Sequence, residues 1–191
     1  MNALKPKPRV AFQGERGAFS EEAALKLLGD EIELVPQRTF AALFSSLDRG
    51  VADYLVAPIE NSIAGIVKPS LDLMRASSLV ILDETELQID QHLIGCPGTA
   101  FEQIETVQSH PVALAQCKHF FARHPRIKSV NADDTAGSVA KIIERGDRKI
   151  AAIAGRHAAE LYGGEVILEN IQDHTQNYTR FVLLSVKEHQ S

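Results

Sequence analysis

Short runs of aliphatic and β-branched residues alternate along this chain with stretches of helical spacing, and that rhythm restricts the fold to repeated βαβ units. The first set reads RVAFQ, a helix over 20–28, IELVP, a helix over 39–47, and DYLVA. Ser20 stands where it can cap the first helix, Glu21 and Glu22 fall in that helix's first turn, and Gly29 and Gly50 occupy C-terminal cap positions. A second set reads TVQ, a helix over 111–123, IKSVN, a helix over 134–144, KIAAIA, a helix over 156–162, and EVILEN. Pro111 suits a first helical position, and Leu114, Cys117, Phe120 and Phe121 recur at the spacing of one buried face. Two sets predict two α/β lobes.

Residues 79–94, LVILDETELQIDQHLI, alternate like a strand with no glycine or proline to end it, so they can cross from one lobe to the other. The final strand, NYTRFVLLSV, pairs with the first lobe if the chain crosses back near 172–176. The expected division is therefore 8–86 with 176–191, and 87–175. Two crossings make a hinged cleft. Ligands of open α/β sheets collect beyond the carboxyl ends of the strands, so the loops after strands are where chemistry is expected.

Composition removes several classes of function. A chain of 191 residues, 45% of them hydrophobic, can bury a full core, which argues against disorder. A net charge of -5 with cations interspersed among anions offers no basic patch for a phosphate backbone, so nucleic acid is not an expected partner. No apolar run approaches the roughly 20 residues that span a bilayer. Nor does an apolar stretch precede the first strand as a signal sequence would. The expectation is a chain without a membrane partner, placed in the cytoplasm, with Cys96 and Cys117 reduced and packed as small hydrophobes.

The familiar cofactor signatures are missing. The turn FQGERGAFS has neither the GxGxxG spacing of a dinucleotide site nor the GK[ST] ending of a phosphate loop, so no cofactor is expected. From Gly14 to Ser20 it feeds a helix start, which suits either an anion such as a carboxylate or simply a tight turn with a cap. The histidines show no metal spacing: Cys117 and His119 point to different helix faces, and neither HExxH nor CxxC occurs. No metal site is expected, and His110 reads as shaping a helix start. No GxSxG elbow is present either.

Polar clusters at strand ends remain. In DYLVAPIENSIAG, Pro58 is expected to stop the ladder, leaving Glu60, Asn61 and Ser62 as a loop that either binds a ligand or merely turns the chain. Ser109 in QSHP and Thr135 in ADDTAG sit at helix starts, as ligand contacts or as N-caps. In NYTRF, Thr179 and Phe181 are ordinary strand formers. Arg180 is either a bidentate carboxylate partner or a solvated surface cation.

Taken in order, FQGERGAFSEEAAL, ADYLVAPIENSIAGIV, VQSHPVALAQC, DDTAGSVA, AAIAGRHAAELYG and NYTRF resemble the prephenate dehydratase family over nearly the whole chain. The resemblance implies two α/β lobes joined by two crossing strands, like type II periplasmic binding proteins, with the active site in the interlobe cleft. It implies loss of the ring hydroxyl and of a carboxyl group as carbon dioxide, yielding phenylpyruvate without redox change. It assigns the proton donor to the threonine of TRF, here Thr179, backed by Phe181. Around the substrate it places Glu60, Asn61, Ser62, Ser109, Gln116 and Thr135, with Arg180, Gly14 and Ser20 as further contacts; the alternative for Gln116 is a hydrogen bond within its own helix. Members usually continue into a phenylalanine-binding regulatory domain, whereas this sequence stops at KEHQS, so feedback through such a domain is not expected. A homodimer stays open. Arogenate in place of prephenate, and a non-catalytic solute-binding module on the same fold, are the competing readings.

Overall fold

In the computed structural model, which describes residues 6–186, the chain divides into two units. Unit 1 takes its described residues from 6–14, 20–87 and 178–186, and unit 2 comprises 15–19 and 88–177. The stretch 187–191, assigned to the first lobe from sequence, lies outside the described residues.

Unit 1 carries β1 (Arg9–Gln13), α1 (Phe19–Leu28), β2 (Glu33–Gln37), α2 (Phe40–Asp48), β3 (Tyr54–Asn61), β4 (Gly65–Ile66), α3 (Lys68–Ala76), β5 (Leu79–Gln88) and the last strand, β11 (Tyr178–Val186). The sheet order is β2-β1-β3-β11-β5, with β4 against β3. β1 runs parallel to both its neighbours, and β11 antiparallel to β3. β1 contributes Val10, Ala11 and Phe12, all fully buried, as expected of a strand covered on both faces. Pro36 lies in β2, an edge strand, where a missing N–H costs no ladder bond. Leu43, Phe44 and Leu47 of α2 close over Leu55, Ala57, Val182 and Leu184 of the sheet.

Helix ends follow local chemistry. Thr39 Oγ1 accepts from Ala42 N at 3.1 Å, and Gly29 and Gly50 end their helices with φ of +76° and +63°, as anticipated. Ser20 does not cap: α1 begins at Phe19, which leaves Ser20 buried inside the first turn. Helix α3 is not expected from the sequence: Leu73 and Met74 pack on the core only partly buried and its fully buried position is a serine, Ser70, which leaves no legible apolar stripe.

Pro58 does not end its strand. β3 continues to Asn61, and the ladder adapts through a register shift in β11 between Arg180 and Phe181: Phe181 pairs with Pro58, but Arg180 pairs with Glu60. One extra residue on β3 thus forms a bulge beside the proline, which has no N–H to donate. Glu60 and Asn61 consequently stand on a strand rather than in a loop.

Unit 2 carries β6 (His92–Gly95), β7 (Thr106–Ser109), α4 (Pro111–Ala115), α5 (Lys118–Arg123), β8 (Lys128–Asn131), α6 (Ala136–Arg145), β9 (Ile150–Ala154), α7 (Arg156–Tyr162) and β10 (Glu165–Leu168). Its order is β10-β6-β9-β7-β8. In β9, Ala151 and Ile153 join the core that includes Phe120 and Ile127, while Ala152 and Ala154 join Val139, Ile142 and Ala158 on the other face. That period-2 division is why KIAAIA reads as one apolar run.

Two expected elements are each split. Residues 79–94 form β5 and β6, parted at residues 89–91, where Ile89 N donates to Asn177 O and Gln91 N to the Gln172 side chain. Residues 111–123 form α4 and α5, because Asp173 intervenes. Its backbone N–H donates to Gln116 O, ending α4, and its carboxylate accepts from Lys118 N at 3.0 Å and His119 N at 2.8 Å, starting α5. Asp173→Ala is expected to cost about 1–2 kcal/mol, the usual worth of an N-cap. Urea unfolding checks this, and Asp173→Asn, which keeps an acceptor, should lose less.

Candidate active site

The β3–β11 pair brings six of the expected site residues together. Thr179 lies opposite Asn61 and Arg180 opposite Glu60. Asn61 Nδ2 donates to Thr179 Oγ1 at 2.9 Å and to Tyr178 O at 3.0 Å. Asn61 Oδ1 accepts from Ile63 N and Ala64 N, closing the ENS turn on itself. Ser62 clamps the same segment: its N–H donates to Tyr178 O at 2.8 Å and its Oγ accepts from Tyr178 N at 2.9 Å. Asn61 and Thr179 are each only 8% exposed, so this pair is largely shielded from competing water.

The rest of the TRF triplet divides its duties. Arg180 is exposed and paired, Nη2 lying 3.1 Å from Glu60 Oε2 and Nη1 3.9 Å from Glu84 Oε2. A solvated pair of this kind contributes little to stability. Phe181, 2% exposed, is core.

The remaining expected contacts lie on other elements of the two units. Gly14 ends β1 with φ of +112°, and its N–H donates to Gln37 O at 2.9 Å, extending the sheet. The turn that follows packs on α7. A Cβ at Gly17 would meet Ala158 Cα at 3.0 Å, and Tyr162 Oη donates to Arg16 O at 2.8 Å. Ser20 is buried in α1. Ser109, Gln116 and Thr135 belong to unit 2. Ser109 Oγ donates to Ile153 O at 2.6 Å, which commits its proton to fastening β7 to β9, while His110 takes the cap position, accepting from Val112 N at 3.2 Å. Thr135 precedes α6 without a side-chain capping bond, since Asp134 accepts from Gly137 N instead. Gln116 bonds beyond its own helix, Oε1 accepting from Gln91 Nε2 at 3.3 Å.

Among the described residues no group of three His, Cys, Asp or Glu side chains is placed to hold a metal ion, and no helix is long and apolar enough to cross a membrane. Both cysteines are free and buried, and burial, helped by Asp173, pushes the Cys117 thiol up to about 12.

One buried histidine escaped the sequence reading because it lay inside the presumed single strand 79–94. His92, 5% exposed, accepts at Nδ1 from Asn170 N at 3.2 Å. Burial first, and then Arg156, hold its pKa below the ordinary value. The unfolded chain therefore takes up this proton at higher pH than the folded one, and stability must fall as pH drops through about 6.5 toward the lower folded value. Urea unfolding between pH 7.5 and 5.5 should show a shallower loss for His92→Gln than for the unaltered chain.

The prephenate dehydratase family model matches residues 10–189. The chain belongs to the prephenate dehydratase family. The PIENS block of that family falls at the end of β3 and TRF at the start of β11, so two segments about 120 residues apart in sequence become paired strands. An Arabidopsis thaliana relative, arogenate dehydratase/prephenate dehydratase 1, chloroplastic, is 39% identical over 94% of this chain and 45% of its own length. The chain thus spans about half the length of the curated relatives it matches. The solved prephenate dehydratase of Arthrobacter aurescens in complex with L-Phe is 30% identical with a TM-score of 0.84, over 94% of this chain and 60% of that one. A protein described as GqqA, a novel type of quorum quenching acylase, is 31% identical with a TM-score of 0.83, over 95% of this chain and 65% of that one.

Proposed function

We propose that this chain converts prephenate to phenylpyruvate, water and carbon dioxide, a step of phenylalanine biosynthesis, with Thr179 as proton donor. The observation that carries this reading is the Asn61–Thr179 pair, a shielded hydroxyl held at a fixed place on two adjacent strands. In the reaction the bond to the ring carboxylate breaks, its electron pair enters the ring, and the ring C–O bond breaks. The departing hydroxide takes the Thr179 proton and leaves as water. Thr179 regains a proton from solvent, so one proton is consumed per turnover. Aromatisation supplies the driving force, and catalysis consists of assisting a poor leaving group at the moment it departs. Because a threonine hydroxyl is a weak acid, its proton moves late, together with C–O cleavage.

Other assignments rest on the family resemblance. Ser109, Gln116 and Thr135 are retained as substrate contacts, Ser109 as an acceptor only, given its committed proton. Arg180, already engaged by Glu60, is a secondary anion contact. The substrate is prephenate rather than arogenate on the same ground, and the compartment the cytoplasm, where both free thiols stay reduced. Self-association as a homodimer is consistent with this reading. Acyl transfer is disfavoured, since a threonine nucleophile needs a base and the group bonded to Thr179 Oγ1 is an amide that takes no proton.

The test supplies the purified chain with prephenate and, separately, arogenate at neutral pH, following phenylpyruvate by its absorbance in alkali and phenylalanine by chromatography. Turnover of prephenate supports the reading. Turnover of arogenate alone would transfer it to the amino-acid substrate, and turnover of neither would overturn it.

A further inference from the structure

Resting on that reading of Thr179, we propose that Asn61 is a positioning residue: its amide occupies a lone pair of the Thr179 oxygen and thereby directs the hydroxyl proton toward substrate. The resemblance casts Asn61 as a substrate contact. The geometry points to a different task.

The amide cannot be turned around. Asn61 Oδ1 accepts from two backbone groups, Ile63 N at 3.0 Å and Ala64 N at 2.8 Å. A flipped side chain would set its NH₂ against both of these N–H groups and lose both bonds. The nitrogen must therefore face β11, where its two protons go to Tyr178 O and Thr179 Oγ1. A threonine hydroxyl has a single proton. With Asn61 donating to its oxygen, that proton has to point away from Asn61, and a hydroxyl that accepts one bond becomes a stronger donor of the next.

The bulge gives this arrangement a reason. Phe181 pairs with Pro58 and Val182 with Ala57. Had this register continued without the shift, Thr179 would lie opposite Glu60. A carboxylate only accepts, so it would capture the hydroxyl proton and turn the donor away from its work. The one-residue shift at Arg180 brings Asn61 opposite Thr179 instead and sends Glu60 to the exposed pair with Arg180. An acceptor has been exchanged for a donor by register alone.

The variant Asn61→Asp isolates this effect. One carboxylate oxygen still accepts from Ile63 N and Ala64 N, so the turn persists, while the other now faces Thr179 and takes its proton. At neutral pH kcat is expected to fall by about 10²–10³-fold, the range for losing one oriented donor, with KM little changed. As pH falls a growing fraction of the variant's carboxylate is protonated, below the ordinary Asp value of about 3.9 because Ile63 N and Ala64 N hydrogen-bond its charged form, and that fraction can again donate to the Thr179 oxygen. Relative to the unaltered chain, kcat of Asn61→Asp should therefore rise as pH falls, measured per folded molecule by near-ultraviolet circular dichroism. A merely structural role predicts a constant ratio across pH. A folded Asn61→Asp variant with unaltered kcat at neutral pH, or with a deficit that acid does not relieve, would overturn the proposal. Thr179→Val, assayed alongside, separates the two levels: if it stays active the donor assignment fails and this inference with it, whereas an inactive Thr179→Val beside a fully active Asn61→Asp removes only the positioning role.

Discussion

Replacing Thr179 with alanine is expected to lower kcat by about 10²–10⁴-fold, the range ascribed to a positioned general acid, with KM close to that of the unaltered chain. The hydroxyl contributes mainly in the transition state, because the ground-state substrate has no departing hydroxide to protonate. The fold should survive. Asn61 would lose one of its two acceptors on β11 but keep Tyr178 O, so the penalty is one buried N–H left without that acceptor, about 1–3 kcal/mol. Thr179→Ser restores the hydroxyl without the methyl group and should recover much of kcat. Steady-state kinetics of both variants decide the matter, and a Thr179→Ala enzyme within a few-fold of normal kcat would remove this residue as donor.

Phe181→Ala should act two residues away through an unrelated cause. Its ring is 2% exposed and follows directly on the bulge, in register with Pro58. Truncating a buried phenylalanine leaves a cavity and costs about 3–5 kcal/mol. That is a large share of the roughly 5–15 kcal/mol that holds an ordinary domain together. The urea midpoint should drop accordingly, whereas Phe181→Leu, which refills most of the space, should lose far less. A loss below about 1 kcal/mol for the alanine variant would mean the site collapses readily and the ring does not anchor the bulge. Within one tripeptide, then, Thr179 carries chemistry, Arg180 meets solvent and carboxylates, and Phe181 holds the strand.

The legible part of this fold was local. Gly29 and Gly50 announce helix ends because few other residues adopt their positive φ without strain, and His110 shapes its helix start by accepting from an amide two residues on. The alternation of strand and helix likewise registers in short windows, which is why both α/β units were foreseen. What was hidden depends on distant partners. Asp173 reaches back 55 residues to start α5, and no window around 111–123 contains it. Pro58 was read as a strand end because the bulge that accommodates it depends on β11, far along the chain. The same holds at the site. TRF and PIENS could be singled out as segments, but which residue of one faces which residue of the other is a matter of register, and a slip of one would substitute Glu60 for Asn61.

The central claim is that the Thr179 proton reaches the departing hydroxyl as the C–O bond breaks. Single-turnover conversion of prephenate in mixtures of H₂O and D₂O isolates that step from product release. The account predicts a slower reaction in D₂O, with a rate that falls linearly with deuterium content, as for one proton in flight. A rate independent of deuterium content, with C–O cleavage limiting, would contradict it.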